Sequence, residues 1–273
     1  QAVGAQASGL VSSFCCRLPH HNMRALAALL LLPAQGAALR VHSACSCLTW
    51  KDVYASRNVR CGMGHELAVW KDRVDREALP EKAPSGWDFF DEFCTRFYMQ
   101  VSSSKCFNVR FGSPSQQWCY VSPECEGAER VPDADAAIKM CGEGDHFQNA
   151  TTPEELNQMG TDMNLERGLL GKLSYAMDGK KWNEVESASG LDDDALFDSH
   201  TMESFYGLKW GGRKEVTPEG KAKFDEVEAS GIPTIFDADN GHGGGTVVYG
   251  SKIYLFRPLD ETHGMGYVCY KGC

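Results

Sequence analysis

The sequence predicts an α+β protein in which a disulfide-rich N-terminal module precedes a helical segment and a small antiparallel sheet, and three observations carry that prediction. Eight cysteines (Cys45, Cys47, Cys61, Cys94, Cys106, Cys119, Cys125 and Cys141) crowd into fewer than a hundred residues. Beyond them, two segments open with Thr-Pro-Glu, at Thr152 and Thr217, the signature of a capped helix start with proline in the first turn. After Gly231 the apolar spacing changes from helical to strand-like, without the regular helix–strand alternation of a doubly wound sheet.

The first element in chain order is a leader. Residues 1–22 show no periodicity and read as an untranslated-like stretch or extension, ahead of Met23. Arg24, the apolar run Ala25 to Leu32, Pro33 and the small residues Ala34, Gly36, Ala37 and Ala38 follow in the order of a signal peptide, placed at 23–38 with cleavage after Gly36 or Ala38. That run is well short of the roughly 20 apolar residues a membrane span requires. We therefore expect no transmembrane segment in the mature chain. Across 273 residues, 42% hydrophobic residues are enough to build real cores, and a formal charge of -10 without any Lys/Arg cluster argues against nucleic acid as a partner.

Leaving Cys15 and Cys16 to the leader, ten cysteines remain, and Cys269 and Cys273 close the chain. In the oxidising compartment a signal peptide implies, this reads as four bridges in a module at 45–145 and one bridge or tether at the C-terminus. No Cys-x-x-Cys knuckle occurs, so we expect disulfides rather than a metal site. Eight cysteines admit about a hundred pairings, and the sequence does not choose among them.

Within the first module, Trp50, Val53 and Tyr54 predict a short helical turn. Phe90, Phe93, Cys94, Phe97 and Val101, behind an N-cap at Ser85, predict a longer helix. Lys105 to Tyr120, broken by Gly112-Ser113-Pro114-Ser115, predicts a hairpin that brings Trp118, Cys119 and Tyr120 into the core. The glycosylation sequon at Asn149 falls at a composition change, which places a boundary between residues 142 and 152. The second module, 152–273, is expected to hold helices at Leu156 and Met159, at Leu165 to Leu173, at Leu196, Phe197, Phe205 and Leu208, and from Pro218 to near Gly231. Strands follow at Thr234–Phe236, Thr246–Tyr249 and Lys252–Phe256, the last two joined by Gly250-Ser251.

Four constellations could carry chemistry. Ser230-Gly231-Ile232-Pro233-Thr234 resembles the cis-proline segment of thioredoxin-like folds, but no cysteine lies between 152 and 229, so an ordinary strand start is expected. Asp237-Ala238-Asp239-Asn240-Gly241 starts like a calcium loop, yet its twelfth position is Val248, and a polar turn is the better reading. Asp192, Asp193, Asp194 and Asp198 suit a helix N-terminus. His65, His146, His200, His242 and His263 show no metal-ligand spacing; the glycine-rich turn before His65-Glu66 offers a way to expose an imidazole, but an ordinary surface or core histidine is the better reading. There is neither a Gly-x-Ser-x-Gly elbow nor a P-loop.

Several stretches together resemble a family of secreted cysteine-rich proteins from dinoflagellate algae. They are Cys45 to Tyr54, Cys61-Gly62 with His65-Glu66, Glu92-Phe93-Cys94, Gln117 to Ser122 with Cys125, Thr152 to Leu156, Gly168-Leu169-Leu170 with Lys172, and Gly231-Ile232-Pro233 leading to Phe236-Asp237. The resemblance spans most of residues 45 to 256 and brings no activity, cofactor or catalytic residue with it. The expectation is a non-enzymatic secreted or lumenal disulfide-stabilised binding or structural protein, without cofactor and with a protein partner or large assembly as its target. The alternatives are a peripheral lumenal accessory subunit of a membrane (photosynthetic) complex, reached because secretory signals also begin import into complex plastids, and a redox-silent thioredoxin-like or cryptic enzyme.

Overall fold

The computed structural model describes residues 43–69, 90–142, 147, 151–199, 214–238, 243–259 and 264–273. The leader, Ser85, Asn149, His146, His200, His242, His263, Phe205 and Leu208 lie outside the described residues. Residues 42–273 form one compact unit. Among the described residues no helix is long and apolar enough to cross a membrane.

The fold is α+β. Helix α1 (Trp50–Ser56) buries Trp50 and Val53. The expected helix around Phe93 is instead a π turn, Asp91–Thr95, closed by the Arg96 N–H on the Asp91 carbonyl at 2.9 Å, followed by a 3-10 turn, Tyr98–Gln100. The break falls at Phe97, whose φ of -125° and ψ of -89° are not helical. Wide and tight turns in succession put Phe93, Cys94, Phe97, Tyr98 and Val101 all inside, whereas Phe90 stays exposed. Packing of five large side chains has overridden the regular spacing.

Strands β1 (Phe107–Asn108), β2 (Gln117–Val121), β3 (Glu129–Arg130) and β4 (Ala137–Met140) make an antiparallel sheet in the order β1-β2-β4-β3. Every residue of β2 is buried. Alternation along the strands gives the sheet two distinct faces. Phe107, Trp118 and Tyr120 join Trp50 and Tyr98 on one face, with Trp50 edge-on to Trp118 at 4.8 Å. Asn108, Gln117 and Cys119 occupy the other.

The second sheet has five strands in sequence order: β5 (Ala176–Lys181), β6 (Thr234–Asp237), β7 (Thr246–Tyr249), β8 (Lys252–Pro258) and β9 (Met265–Lys271). All pairs are antiparallel except β5 with β6, which is parallel and has a crossover of helices between its strands. Helices lie on both faces. Ile235, Val247, Tyr254, Phe256 and Tyr267 pack toward α2 (Pro153–Met163) and α3 (Arg167–Ser174), in a core continuous with the aromatic cluster of the first sheet. Phe236, Val248, Ile253 and Leu255 pack the other way, with Trp182 and Val185 of α4 (Trp182–Val185), Leu196 of α5 (Asp193–Ser199) and Phe224 and Val227 of α6 (Pro218–Ser230).

The caps expected from sequence form. Thr152 and Glu155 make a reciprocal capping box on α2, and Thr217 accepts from the Gly220 N–H at the start of α6. α6 ends at Gly231, whose φ of 62° is the left-handed cap a glycine adopts without strain. The Ile232–Pro233 bond is trans, and Pro233 simply precedes β6.

The first sheet ends at Met140 and the second begins at Ala176, and a polar seam joins them. The Asn108 side chain donates to the carbonyls of Lys172 (3.1 Å) and Tyr175 (2.9 Å). Gln117 donates to Asn108 Oδ1 (2.8 Å) and to the Ser174 carbonyl (3.2 Å). The last carbonyls of a helix lack partners within it. Here two amides from the first sheet satisfy those of α3.

Candidate functional site

The ten cysteines pair as Cys45–Cys125, Cys47–Cys119, Cys61–Cys94, Cys106–Cys141 and Cys269–Cys273. Cys45 and Cys47 take different partners, on the loop after β2 and on β2 itself. Cys61–Cys94 pins the π turn to the loop after α1. Cys269–Cys273 closes only a local turn, so no bridge links the first sheet to the second.

Beside Cys45–Cys125 lies a groove of about 520 Å³, within the few-hundred-Å³ range of small-ligand sites. Its lining includes the bridge itself, His65, Glu126, Glu129, Ile138 and Lys139, and Met140 stands half exposed at its rim. The Lys139 ammonium donates to the Cys45 carbonyl at 3.2 Å, and the His65 ring sits edge-on to Trp118 at 5.2 Å. Charge of both signs over an apolar floor suits an amphipathic segment. His65, part-buried, lines one wall of this hollow.

Behind His65 the chain turns inward. Glu66 is 1% exposed, and its carboxylate accepts from the Tyr54 hydroxyl (2.8 Å), the Tyr120 hydroxyl (2.6 Å) and the Gly64 N–H (3.0 Å). Burial first, and the Glu66 charge second, push the Tyr54 and Tyr120 hydroxyls well above the ordinary tyrosine range, so both stay protonated as donors. Nothing in the sequence marks Glu66 as buried.

Asp237, the last residue of β6, is the centre of an ion-pair network. Lys172 of α3 lies 2.9 Å from one carboxylate oxygen and Lys181 of β5 lies 3.0 Å from the other, with Lys172 and Asp237 both over nine-tenths buried. Burial alone would raise the Asp237 pKa, but the two lysines outweigh it and hold the carboxyl below its usual range. A carboxylate so occupied is not available to calcium, and Asp239 to Gly241 lie outside the described residues. Asp192 caps α5 through the Ala195 N–H at 2.8 Å, as expected of a helix N-terminus. It shares a second hollow, of about 390 Å³, with Asp194, Tyr270 and Lys271.

Among the described residues, one group of side chains has metal-ligand crowding: Cys47, Cys106, Cys119 and Cys141, whose sulfurs lie within 4.8 Å of one another. A metal ligand must be a thiolate, and these sulfurs are bonded in pairs. No family model, no curated protein and no solved structure matches the chain.

Proposed function

We propose that the chain is a secreted or lumenal, disulfide-stabilised binding or structural protein. The observation that carries this reading is the cross-linked frame around the groove. Three cross-links converge on one small sheet, and the buried carboxylate nearest the groove, Glu66, is taken up by two tyrosines and a backbone amide of the same core. What the frame offers outward is fixed shape with His65, Lys139, Glu126 and Glu129 around an apolar floor. The resemblance to secreted cysteine-rich algal proteins supports the same placement.

The test is expression of the full chain in a eukaryotic secretory host. The reading expects the protein in the medium, truncated behind the leader, with none of the ten cysteines alkylated under denaturing, non-reducing conditions. Retention in the cytosol with reactive thiols at Cys45 to Cys141 would overturn it.

A further inference from the structure

On the polar face of the first sheet two disulfides cross in contact. Cys119 of β2 stands opposite Lys139 of β4, and Cys141 lies two residues beyond Lys139 on the same face. Cys106 continues the pairing of Phe107 with Trp118, which sets it opposite Cys119. Cys47 reaches in from the segment anchored by the Leu48 N–H on the Tyr120 carbonyl at 2.7 Å. The bonded pairs are Cys47–Cys119 and Cys106–Cys141, yet Cys47 Sγ lies only 3.6 Å from Cys106 Sγ. Each bridge has one buried member, Cys119 or Cys106, and one half-buried member, Cys47 or Cys141. Disulfide exchange needs a thiolate, access to a sulfur and a second sulfur within reach. All but the incoming thiolate are present.

We propose that Cys47, Cys106, Cys119 and Cys141 form a thiol–disulfide exchange site whose substrates are external thiols, including those of other proteins. An incoming thiolate attacks Cys141 Sγ; the Cys106–Cys141 bond breaks, and its electron pair leaves on Cys106 as a thiolate. Cys106 then attacks Cys47 Sγ, forming Cys47–Cys106 and releasing Cys119 as the thiolate. Cys119 attacks Cys141 in the mixed disulfide, forming Cys119–Cys141 and expelling the original thiolate. The sequence of steps is redox-neutral and regenerates the thiol. A dithiol substrate takes the other branch. Its second thiolate attacks its own sulfur in the mixed disulfide, so it leaves oxidised, and two electrons and two protons remain on the cluster as two thiols. The other two bridges of the module stand outside the group of four sulfurs.

Trypsin gives a direct readout. In the pairing described, residues 41–51 are linked to 111–130, and residues 106–110 are linked to 140–167, as two separate species. In the exchanged pairing all four peptides become one covalent species. The oxidised full chain, as wild type and as a Cys269→Ser, Cys273→Ser variant lacking the more exposed C-terminal bridge, is incubated with substoichiometric glutathione. It is then quenched with acid, alkylated, digested without reduction and weighed by mass spectrometry. The four-peptide species is expected to rise from absent to a steady level in both proteins, with Cys61–Cys94 intact. Two separate species throughout, or scrambling that draws in Cys61 and Cys94 at the same rate, would overturn the proposal.

Discussion

Replacing Glu66 tests whether the buried carboxylate holds the aromatic core together. In Glu66→Ala, the Tyr54 and Tyr120 hydroxyls and the Gly64 N–H lose their acceptor in a site closed to water. Hydrogen bonds to a charged group contribute about 1.5–3 kcal/mol each, and a stranded buried donor costs about 1–3 kcal/mol. Relief of the cost of burying the charge offsets part of this. A net loss of about 3 kcal/mol is expected, a large share of the roughly 5–15 kcal/mol by which domains are stable. Glu66→Gln keeps an oxygen for the two tyrosines but turns an amide donor toward the Gly64 N–H, so about 1–2 kcal/mol is expected for the one bond lost. The assay is guanidinium denaturation of the oxidised proteins followed by the fluorescence of the six tryptophans, of which Trp50 and Trp118 sit in the core around Glu66. A double-mutant cycle with Tyr120→Phe should return a coupling of about 1 kcal/mol or more. Equal midpoints for wild type, Glu66→Gln and Glu66→Ala would refute the reasoning.

Burial raises the pKa values of Tyr54, Tyr98, Tyr120, Tyr175 and Tyr267. A folded pKa above the unfolded value of about 10 contributes stability that is present below that value and lost as pH rises beyond it, at about 1.4 kcal/mol per tyrosine per pH unit. The protein should therefore unfold cooperatively just above pH 10, with the phenolate absorbance of these five tyrosines appearing only together with unfolding; ionisation of any of the five in the intact fold would contradict this. The depressed Asp237 pKa has the opposite sense, its contribution being present at neutral pH and lost as pH falls below the ordinary aspartate range. Asp237→Asn should cost about 3 kcal/mol at neutral pH by leaving Lys172 buried beside a neutral amide. The gap from wild type should narrow in acid; a gap that does not change with pH would count against the ion pair. Loop length predicts about 4 kcal/mol for Cys61–Cys94 and about 2 kcal/mol for Cys269–Cys273, so serine replacement of the first pair should shift the denaturation midpoint more. Gly171→Ala sets a Cβ against the Tyr267 ring and should destabilise by about 1–3 kcal/mol, although alanine is the better helix former; a rise in melting temperature would show that the contact gives way.

Elements whose signal is local were legible in the sequence. Thr152-Pro153-Glu154-Glu155 and Thr217-Pro218 start helices because the caps are made within four residues, and Gly250-Ser251 turns β7 into β8 because the turn needs only its own backbone. β5 escaped notice because Ala176-Met177-Asp178-Gly179-Lys180-Lys181 has no apolar alternation. Parallel pairing with β6 holds it, and that partner is more than fifty residues away in the chain. The turns at Asp91–Gln100 were misread because apolar spacing reports which residues go inside and not how the backbone gets them there. The site divides the same way. The turn that carries His65 is a local glycine pattern, whereas the burial of Glu66, the lysines on Asp237 and the crossing of two bridges depend on contacts between distant segments.

The amides of Asn108 and Gln117 that close the end of α3 also bear on how the molecule can be taken apart. Severing the chain between residues 142 and 152 would strand those amides on the sheet and the Lys172, Ser174 and Tyr175 carbonyls on the helix, and would open the shared apolar core to water. Neither fragment would be a miniature of its half. The cysteine pattern invites a scissors cut where the bridges stop, but the atoms there behave like a zipper, and dissection has to proceed by single substitutions in the whole chain.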